Sequence, residues 1–296
     1  MPCAECRELT THLFRSVDDL VNAVRLASEE AERGVLSREA TRARSPAEQE
    51  AVDSSLSSGA LPNRVHYRFK CEVCGDRFTL SADASSGEGG WTREGDDVPS
   101  PIDFASPRDA AEWEETAMQK RPWRTEFFDR HAEEIAKVPG PLKILELGSG
   151  PGFLAQHLLS RLPEATMHLL DNSNAMHALA RDRLGELASR ATFVPANFKE
   201  PDWPDRLGPY DFVVTHQAVH ELRHKRHAAT LHRQVRSVLK PGGAYLVGDH
   251  YFGSGGMAND QLYLGIEEQQ AALREAGFAE VTELLRKGGL VLHRAA

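Results

Sequence analysis

The sequence predicts an α/β fold in which a doubly wound sheet of seven strands occupies residues 101–296 and a small cysteine-containing module occupies residues 1–100. Three observations lead to this prediction. Apolar strand patterns alternate with helical patterns in the second part, as in a largely parallel sheet. A glycine-rich turn joins the first of those strands to a helix. The module contains two Cys-x-x-Cys pairs, and a segment rich in Gly, Ser, Asp and Pro follows it.

The alternating pattern places each strand and helix of the sheet. Short apolar runs predict strands at 142–147, 166–170, 192–195, 211–215 and 244–248. Helical patterns fall at 153–162, 175–188, 228–239 and 266–276. After the last helix, two further strands joined at 287–289 predict an antiparallel hairpin at the edge of the sheet.

The module is predicted to contain one helix and two strands. Ser16 is expected to cap the helix, which ends near Gly34. Alternating residues predict the two strands, at 65–70 and 77–81. Residues 37–62 are rich in Ser, Ala, Arg and Glu, which predicts a mobile insertion or an exposed helix. Residues 85–101 are predicted to form the linker between the two parts.

Composition and charge narrow the classes of function. The formal net charge is −9, whereas proteins that bind nucleic acid usually carry a basic surplus for phosphate contacts. No run of apolar residues is long enough to span a membrane, and the first residues have neither the basic start nor the apolar run of a signal peptide. A cytoplasmic protein is therefore expected, with no membrane partner and with a nucleic-acid substrate disfavoured.

The strongest single motif is the turn from Glu146 to Phe153, which contains Gly148, Gly150 and Gly152. Glycines let a backbone turn tightly and approach a ligand closely. Asp171 ends the next strand about twenty residues on, where a ribose-binding carboxylate is expected. A dinucleotide fingerprint would need glycine in place of Phe153, and Glu146 suits a cationic ligand better than a pyrophosphate.

These residues resemble the first motif of class I S-adenosylmethionine-dependent methyltransferases, which have a Rossmann-like fold. The resemblance runs from about Arg121 to the C-terminus. It implies that Gly148 and Gly150 approach the methionine part of the cofactor, Glu146 holds its amino group and Asp171 binds both ribose hydroxyls. The full set of residues that the resemblance assigns to the cofactor is Glu146, Gly148, Ser149, Gly150, Gly152, Asp171, Asn172, Asn197, Phe198, Thr215 and His216.

Some of these residues have a second interpretation. Asp171 could instead cap the helix that begins near Asn174. Phe198 could belong to the core, although the resemblance places Asn197 and Phe198 beside the adenine ring. The segment Arg121-Pro122-Trp123 could fold over the cofactor as a lid, or Trp123 could begin a helix and enter the core.

Candidates for acid–base catalysis follow the fourth and fifth strands of the sheet, where an open α/β sheet forms its binding crevice. They are His216, His220, Asp249, His250 and Tyr251. Of these, His216 and His250 are expected to face the pocket, as a base or as a substrate contact. His220, His224 and His227 recur at helical spacing among basic residues, which favours a solvated helix face.

The four cysteines predict a structural Zn²⁺ site with Cys3, Cys6, Cys71 and Cys74 as ligands, because two Cys-x-x-Cys pairs match a tetrahedral Cys₄ site. The module resembles a zinc ribbon, although the separation from Cys6 to Cys71 is longer than in ordinary zinc ribbons. Loop-closure cost rises slowly with length, so the insertion is tolerable. The alternative is a redox dithiol.

The leading functional prediction is an S-adenosylmethionine-dependent methyltransferase whose acceptor is a small molecule or a protein side chain. The alternatives are an RNA methyltransferase of the rRNA type and an adaptor whose methyltransferase fold is catalytically silent. Acceptor specificity is expected to reside before Leu142, in residues 250–265, and in the zinc module. The sequence carries no signal for an oligomeric state.

Overall fold

The structure, a computed structural model, describes residues 3–39, 64–83 and 88–296, and the chain divides into two compact units. The first unit comprises Met1–Pro101, Arg223–Lys225 and Phe252–Gly265. The second unit comprises Ile102–Leu222, Arg226–Tyr251 and Ile266–Ala296. Two short segments from late in the chain therefore belong with the N-terminal residues. Within the described ranges no helix is long and apolar enough to cross a membrane.

Within its described residues the first unit contains a five-stranded antiparallel sheet and one helix. Its elements are β1 (His12–Leu13), α1 (Val17–Glu32), β2 (Leu36–Glu39), β3 (Arg64–Cys71), β4 (Arg77–Asp83) and β5 (Glu88–Arg93). The strand order is β1-β5-β4-β3-β2. The predicted helix is confirmed, with a capping box between Ser16 and Asp19, and it ends before Gly34, whose φ is +74°.

Part of the predicted linker is a strand. β5 pairs with both β1 and β4, and its Trp91 lies in the core, stacked on Phe69 at 5.6 Å. The prediction was wrong here because glycine in a strand also permits close approach of a neighbouring backbone. A Cβ atom on Gly90 would lie 2.7 Å from the carbonyl oxygen of His12. The predicted insertion also begins with strand β2, and residues 40–62 lie outside the described residues.

The late segment Phe252–Gly265 packs within the first unit. The ring of Phe252 lies 5.5 Å from that of His66, and the Phe252 amide donates to the carbonyl of Leu264 at 2.9 Å. A small apolar cluster joins the segment to Val98; its other members are Met257, Leu262 and Tyr263. This segment, expected to shape acceptor specificity, thus has contacts with His66 and Val98 of the N-terminal module.

The second unit is a seven-stranded sheet flanked by helices, as predicted. Its elements are α2 (Pro107–Lys120), α3 (Arg124–Ile135), β6 (Lys143–Leu147), α4 (Phe153–Arg161), β7 (Thr166–Asp171), α5 (Asn174–Leu184), β8 (Ala191–Pro195), β9 (Tyr210–His216), α6 (Ala228–Ser237), β10 (Leu239–His250), α7 (Ile266–Glu275), β11 (Val281–Lys287) and β12 (Leu290–Ala295). The strand order is β11-β12-β10-β9-β6-β7-β8.

The topology places the candidate site. Strands β6 to β10 are mutually parallel, whereas β12 runs antiparallel between β10 and β11, which confirms the predicted hairpin. The strand order reverses at β6, which has β9 on one side and β7 on the other. Ligands bind outside the carboxyl ends of the strands at such a switch point. The glycine turn follows β6, and Asp171 ends β7.

Candidate functional site

Three glycines of the turn after β6 have positive φ, each for a different reason. Gly148 has φ +65°, and an added Cβ atom would lie 2.4 Å from the Cβ of Ala218. Gly152 has φ +79°, and its Cβ would lie 3.1 Å from that of Ala180 on α5, so it permits close helix packing. Gly150 has φ +51° and no atom within 4 Å of an added Cβ. Its side-chain direction is therefore open space, and this space beside the bare backbone of the turn is called the cradle below.

Asp171 braces this turn. One carboxylate oxygen accepts a hydrogen bond from the Gly150 amide at 2.8 Å, and the other accepts from the Ser173 amide at 2.9 Å. The cap of α5 is Ser173, whose Oγ accepts from the Met176 amide at 3.0 Å, so Asp171 is not the capping residue. Burial is the largest cause of a raised pKa at Asp171, although both backbone hydrogen bonds oppose it.

Glu146 has a buried carboxyl oxygen beside the turn that lacks a hydrogen-bond partner among the described residues. The residue is only 3% exposed, and its Oε2 has no hydrogen-bond partner in the part of the chain that the structure describes. Burial, followed by the charge of Asp171, raises the pKa of Glu146 well above its usual value. A buried carboxyl group without a partner is costly, and a cation would remove that cost. The residues present therefore fit a ligand that carries an ammonium or sulfonium group.

The other predicted cofactor residues lie around the same turn with different surroundings. Phe198 lies beside the cradle, with its Cε1 3.4 Å from the Cβ position of Gly148. Asn197 accepts a hydrogen bond from the Lys199 amide at 3.0 Å. The Thr215 hydroxyl donates to the Leu147 carbonyl at 2.9 Å and so joins the ends of β9 and β6. Ser149 is buried, whereas Asn172 is exposed.

His216 packs against helix α3. Its ring centroid is 5.1 Å from that of Phe128, 5.5 Å from that of Phe127 and 6.0 Å from that of His131, all three on α3. Both ring nitrogens are shielded from solvent and have no hydrogen-bond partner among the described residues. Burial, followed by the charges of His131 and Arg124, lowers the pKa of His216 well below its usual value. The imidazole of His216 is therefore buried against side chains of α3.

His250 is part of a hydrogen-bonded chain. Its Nε2 lies 2.8 Å from the side-chain nitrogen of Gln217, and the side-chain oxygen of Gln217 accepts from Nε of Arg124. Gln217 has φ +58°, a conformation that costs a non-glycine residue and that clusters at functional sites. Sequence reasoning missed Gln217 and Arg124, because the turn that brings them together is not encoded by a motif.

His220 and Asp249, both among the candidates after the fourth and fifth strands, form a hydrogen-bonded pair. Nδ1 of His220 lies 2.7 Å from one oxygen of Asp249, and the His220 amide donates to the other at 2.8 Å. The expectation of a solvated helix face was wrong: His224 is only 7% exposed, and His220 and His227 fall in two separate 3₁₀ turns. Strands β9 and β10 are adjacent and parallel, so the residues after their carboxyl ends lie close together, the argument by which the sequence made both residues candidates.

The four cysteines come together in the first unit. Their sulfur atoms all lie within 4.8 Å of one another, with 3.5 Å between Cys3 and Cys6, 3.8 Å between Cys3 and Cys71, and 3.5 Å between Cys6 and Cys74. Tetrahedral Zn²⁺ with Zn–S bonds of about 2.3 Å requires sulfur separations of about 3.8 Å. The donor set and its spacing therefore fit zinc.

Local structure explains how the second cysteine pair is presented. Cys71 ends β3, and the chain turns through Gly75, whose φ is +82°, before β4 begins. The Gly75 amide donates to the Cys71 carbonyl at 2.8 Å, which closes the turn. Arg93 places a guanidinium nitrogen 3.8 Å from the Cys6 sulfur and 2.7 Å from an Asp76 oxygen. A positive charge there would partly balance four thiolates.

Comparison with known proteins agrees with this geometry. A family model described as a methyltransferase domain matches residues 144–243. A trans-aconitate 2-methyltransferase of Methylobacterium nodulans is 34% identical over 139 residues, which are 46% of this chain and 49% of that protein. The chain thus spans about half the length of this relative.

Two further proteins extend the likeness. An O-methyltransferase family protein of Burkholderia thailandensis has the same fold, with a TM-score of 0.52 at 19% identity, covering 65% of this chain and 60% of the other. A malonyl-[acyl-carrier protein] O-methyltransferase of Geobacter sulfurreducens is 30% identical over 195 residues, covering 59% of this chain and 68% of that protein. The chain accordingly belongs to the methyltransferase-domain family.

Proposed function

We propose that this protein is an S-adenosylmethionine-dependent methyltransferase that acts on a small molecule. The observation that carries the proposal is the buried carboxyl group of Glu146, which lacks a partner for Oε2 among the described residues and lies next to a cradle of bare backbone. S-adenosylmethionine carries an ammonium and a sulfonium and has no phosphate, so its charges match this site. Asp171 has two oxygens to share between the backbone amides and the ribose hydroxyls.

In this proposal the chain mainly positions two reactants. The bound cofactor supplies an already activated methyl group. The turn after β6 holds the nucleoside, and the residues after β9 and β10 orient the acceptor and exclude water. Holding two reactants in a productive geometry contributes on the order of 7–11 kcal/mol to lowering a barrier. The His220–Asp249 pair provides an oriented imidazole beside this crevice, where a proton released by an acceptor would be received.

A small-molecule acceptor is supported by the relatives and by the charge. The named activities of the relatives concern trans-aconitate and malonyl groups. The net charge of −9 disfavours an RNA substrate. Methyl transfer from labelled cofactor into a cell lysate, fractionated into metabolites, protein and RNA, tests this. Label in a metabolite, free or released from a carrier protein, is expected, and label confined to RNA or to protein side chains would contradict it.

We also propose that Cys3, Cys6, Cys71 and Cys74 hold one structural zinc ion. The support is the close approach of four thiol groups from two distant parts of the chain. Zinc bound there would fasten the N-terminal segment to the β3–β4 turn. The ion would have no part in methyl transfer, because four protein ligands leave no open coordination position.

The raised pKa of Glu146 gives a pH prediction. A cationic ligand needs the ionised carboxylate, so cofactor affinity is expected to fall as pH decreases through the raised pKa of this group, above the usual carboxyl value of 4.5. Glu146→Gln should weaken binding of S-adenosylmethionine by about 10- to 100-fold, since a charged hydrogen bond contributes roughly 1.5–3 kcal/mol. It should also remove most of this pH dependence.

Calorimetric titration at several pH values measures both effects. Glu134→Gln is the matched control, because Glu134 is also a buried glutamate but pairs with Arg130 on α3 and with Lys137 just after it. This control should keep the cofactor affinity and its pH dependence. Equal affinities of Glu146→Gln and the unmodified protein at all pH values would remove Glu146 from the site.

A further inference from the structure

Arg124 is a buried cation without an anionic partner. The residue is 3% exposed and opens α3. Its Nε donates to the side-chain oxygen of Gln217, and its guanidinium lies 5.3 Å from the ring centroid of Trp113. Among the described residues no carboxylate lies within 4.0 Å of the guanidinium, and its two terminal nitrogens have no hydrogen-bond partner.

Such an arrangement is costly for the free protein. Burying a guanidinium without a counter-ion carries a large desolvation penalty. Burial, and secondly the charge of Arg121, lower the pKa of Arg124 to about 9. The guanidinium nevertheless keeps its proton at neutral pH, because neutral pH is below this pKa. Buried groups whose pKa is strongly perturbed cluster at functional sites.

The surroundings add positive potential. Arg121 is close enough for its charge to lower the pKa of both His216 and His250, after the larger effect of burial. In the described part of the chain Arg121 also has no carboxylate within 4.0 Å. The first turn of α3 has no side-chain cap, and the N-terminus of a helix favours an anion. The hydrogen-bonded chain from Arg124 through Gln217 to His250 continues to Asp249, which accepts from the His250 amide and is engaged by His220.

We propose that Arg124, assisted by Arg121 and Gln217, binds a carboxylate of one of the two reactants. This inference rests on the proposed function and names a chemical group that the site takes. A guanidinium presents two parallel donors that match the two oxygens of a carboxylate. The carboxylate belongs either to the acceptor or to the methionine end of the cofactor, and the two sources separate by experiment.

The key variant is Arg124→Met, which keeps the apolar stem against Trp113 and removes the charge. Because the cation lacks an acidic partner, this variant is expected to have an unchanged or higher melting temperature. Binding of the carboxylate ligand should fall at least 10-fold. A residue with only a structural role would show the opposite, a lower melting temperature with unchanged binding. Arg124→Lys, which keeps the charge, should retain an intermediate affinity.

Two arms of one calorimetric experiment identify the source. S-adenosylhomocysteine and methylthioadenosine, which lacks the amino-acid part, are titrated into the unmodified protein and into Arg124→Met. A loss confined to S-adenosylhomocysteine assigns the subsite to the cofactor. In the second arm, malonate, trans-aconitate and inorganic phosphate are titrated in the presence of S-adenosylhomocysteine. Carboxylate binding that Arg124→Met abolishes assigns the subsite to the acceptor, and a preference for phosphate would overturn the proposal.

Arg130→Gln is the matched control, because Arg130 lies on the same helix but pairs with Glu133 and Glu134. It should bind every probe as the unmodified protein does. If Arg124→Met keeps its affinity for all the probes, the carboxylate subsite is refuted. In that case tight binding of S-adenosylhomocysteine by the unmodified protein would leave the proposed function intact, whereas absence of that binding would refute the function itself.

Discussion

Replacing Gly150 with arginine is expected to abolish cofactor binding. The Cβ direction at this residue opens into the cradle, with no atom within 4 Å, so a long side chain would occupy the space of the nucleoside. The added positive charge would also repel a sulfonium and an ammonium. We expect the affinity for S-adenosylmethionine to fall by at least about 1,000-fold, which is roughly 4 kcal/mol. Calorimetry and the melting temperature are the two measurements.

The control for this substitution is Gly140→Arg. Gly140 also has positive φ, at +95°, and also has no atom within 4 Å of an added Cβ, but it precedes β6. Both variants carry a similar cost for a left-handed backbone, about 1–2 kcal/mol. Only Gly150→Arg should lose the cofactor. Undiminished affinity in Gly150→Arg would show that the cradle is not the binding site. An equal loss of affinity in both variants would show the same.

Removal of zinc should unfold the first unit. Structural zinc sites contribute apparent binding free energies of about 10–16 kcal/mol, and this energy is folding energy when the site forms only in the folded state. Cys71→Ser is expected to lose the metal and the fixed environment of Trp91, the tryptophan in the core of this unit. Metal analysis should find one zinc ion per chain before substitution and none after it. Near-ultraviolet circular dichroism reports the loss of Trp91 packing.

Val73→Ser is the matched control for the cysteine variant. Val73 lies between Cys71 and Cys74, and its exposure of 61% makes its substitution harmless to the core. It should keep both zinc and the Trp91 signal. A native protein that contains no zinc and has four thiols open to titration would contradict the metal site.

The architecture was predictable because its signals are local. The apolar runs that became β6, β7, β9 and β10 are short and buried, and the glycine turn has a conformation that few residues besides glycine adopt. The two strands joined at Gly288 and Gly289 were predicted from the same kind of signal. Backbone requirements of this type are determined by a few adjacent residues, so a local sequence pattern predicts them.

The side chains near the acceptor were harder to predict. His216 ends β9 on the face that α3 covers, and successive strand residues point to opposite faces. Which of the following residues reaches the crevice depends on the positive φ of Gln217, which no sequence pattern reveals. His220 meets Asp249 only because the ends of β9 and β10 are adjacent, a contact between residues far apart in the chain.

The composition of the first unit led to a wrong prediction of a linker at β5, because it does not show which distant residues pair with this segment. Gly89 and Gly90 suggest a linker, yet in β5 they allow the β1 segment to approach the strand closely. Likewise, nothing in residues 252–265 indicates that they pack with Val98 and His66. Both features depend on partners distant in sequence, so local patterns cannot specify them.

The central claim is that the turn between Glu146 and Phe153 binds S-adenosylmethionine. The most direct measurement is an experimental structure of the protein with S-adenosylhomocysteine. We predict that the ammonium lies within hydrogen-bond distance of the Glu146 carboxylate and that the ribose hydroxyls meet Asp171. A nucleoside bound elsewhere, with the space beside Gly150 empty, would contradict the account.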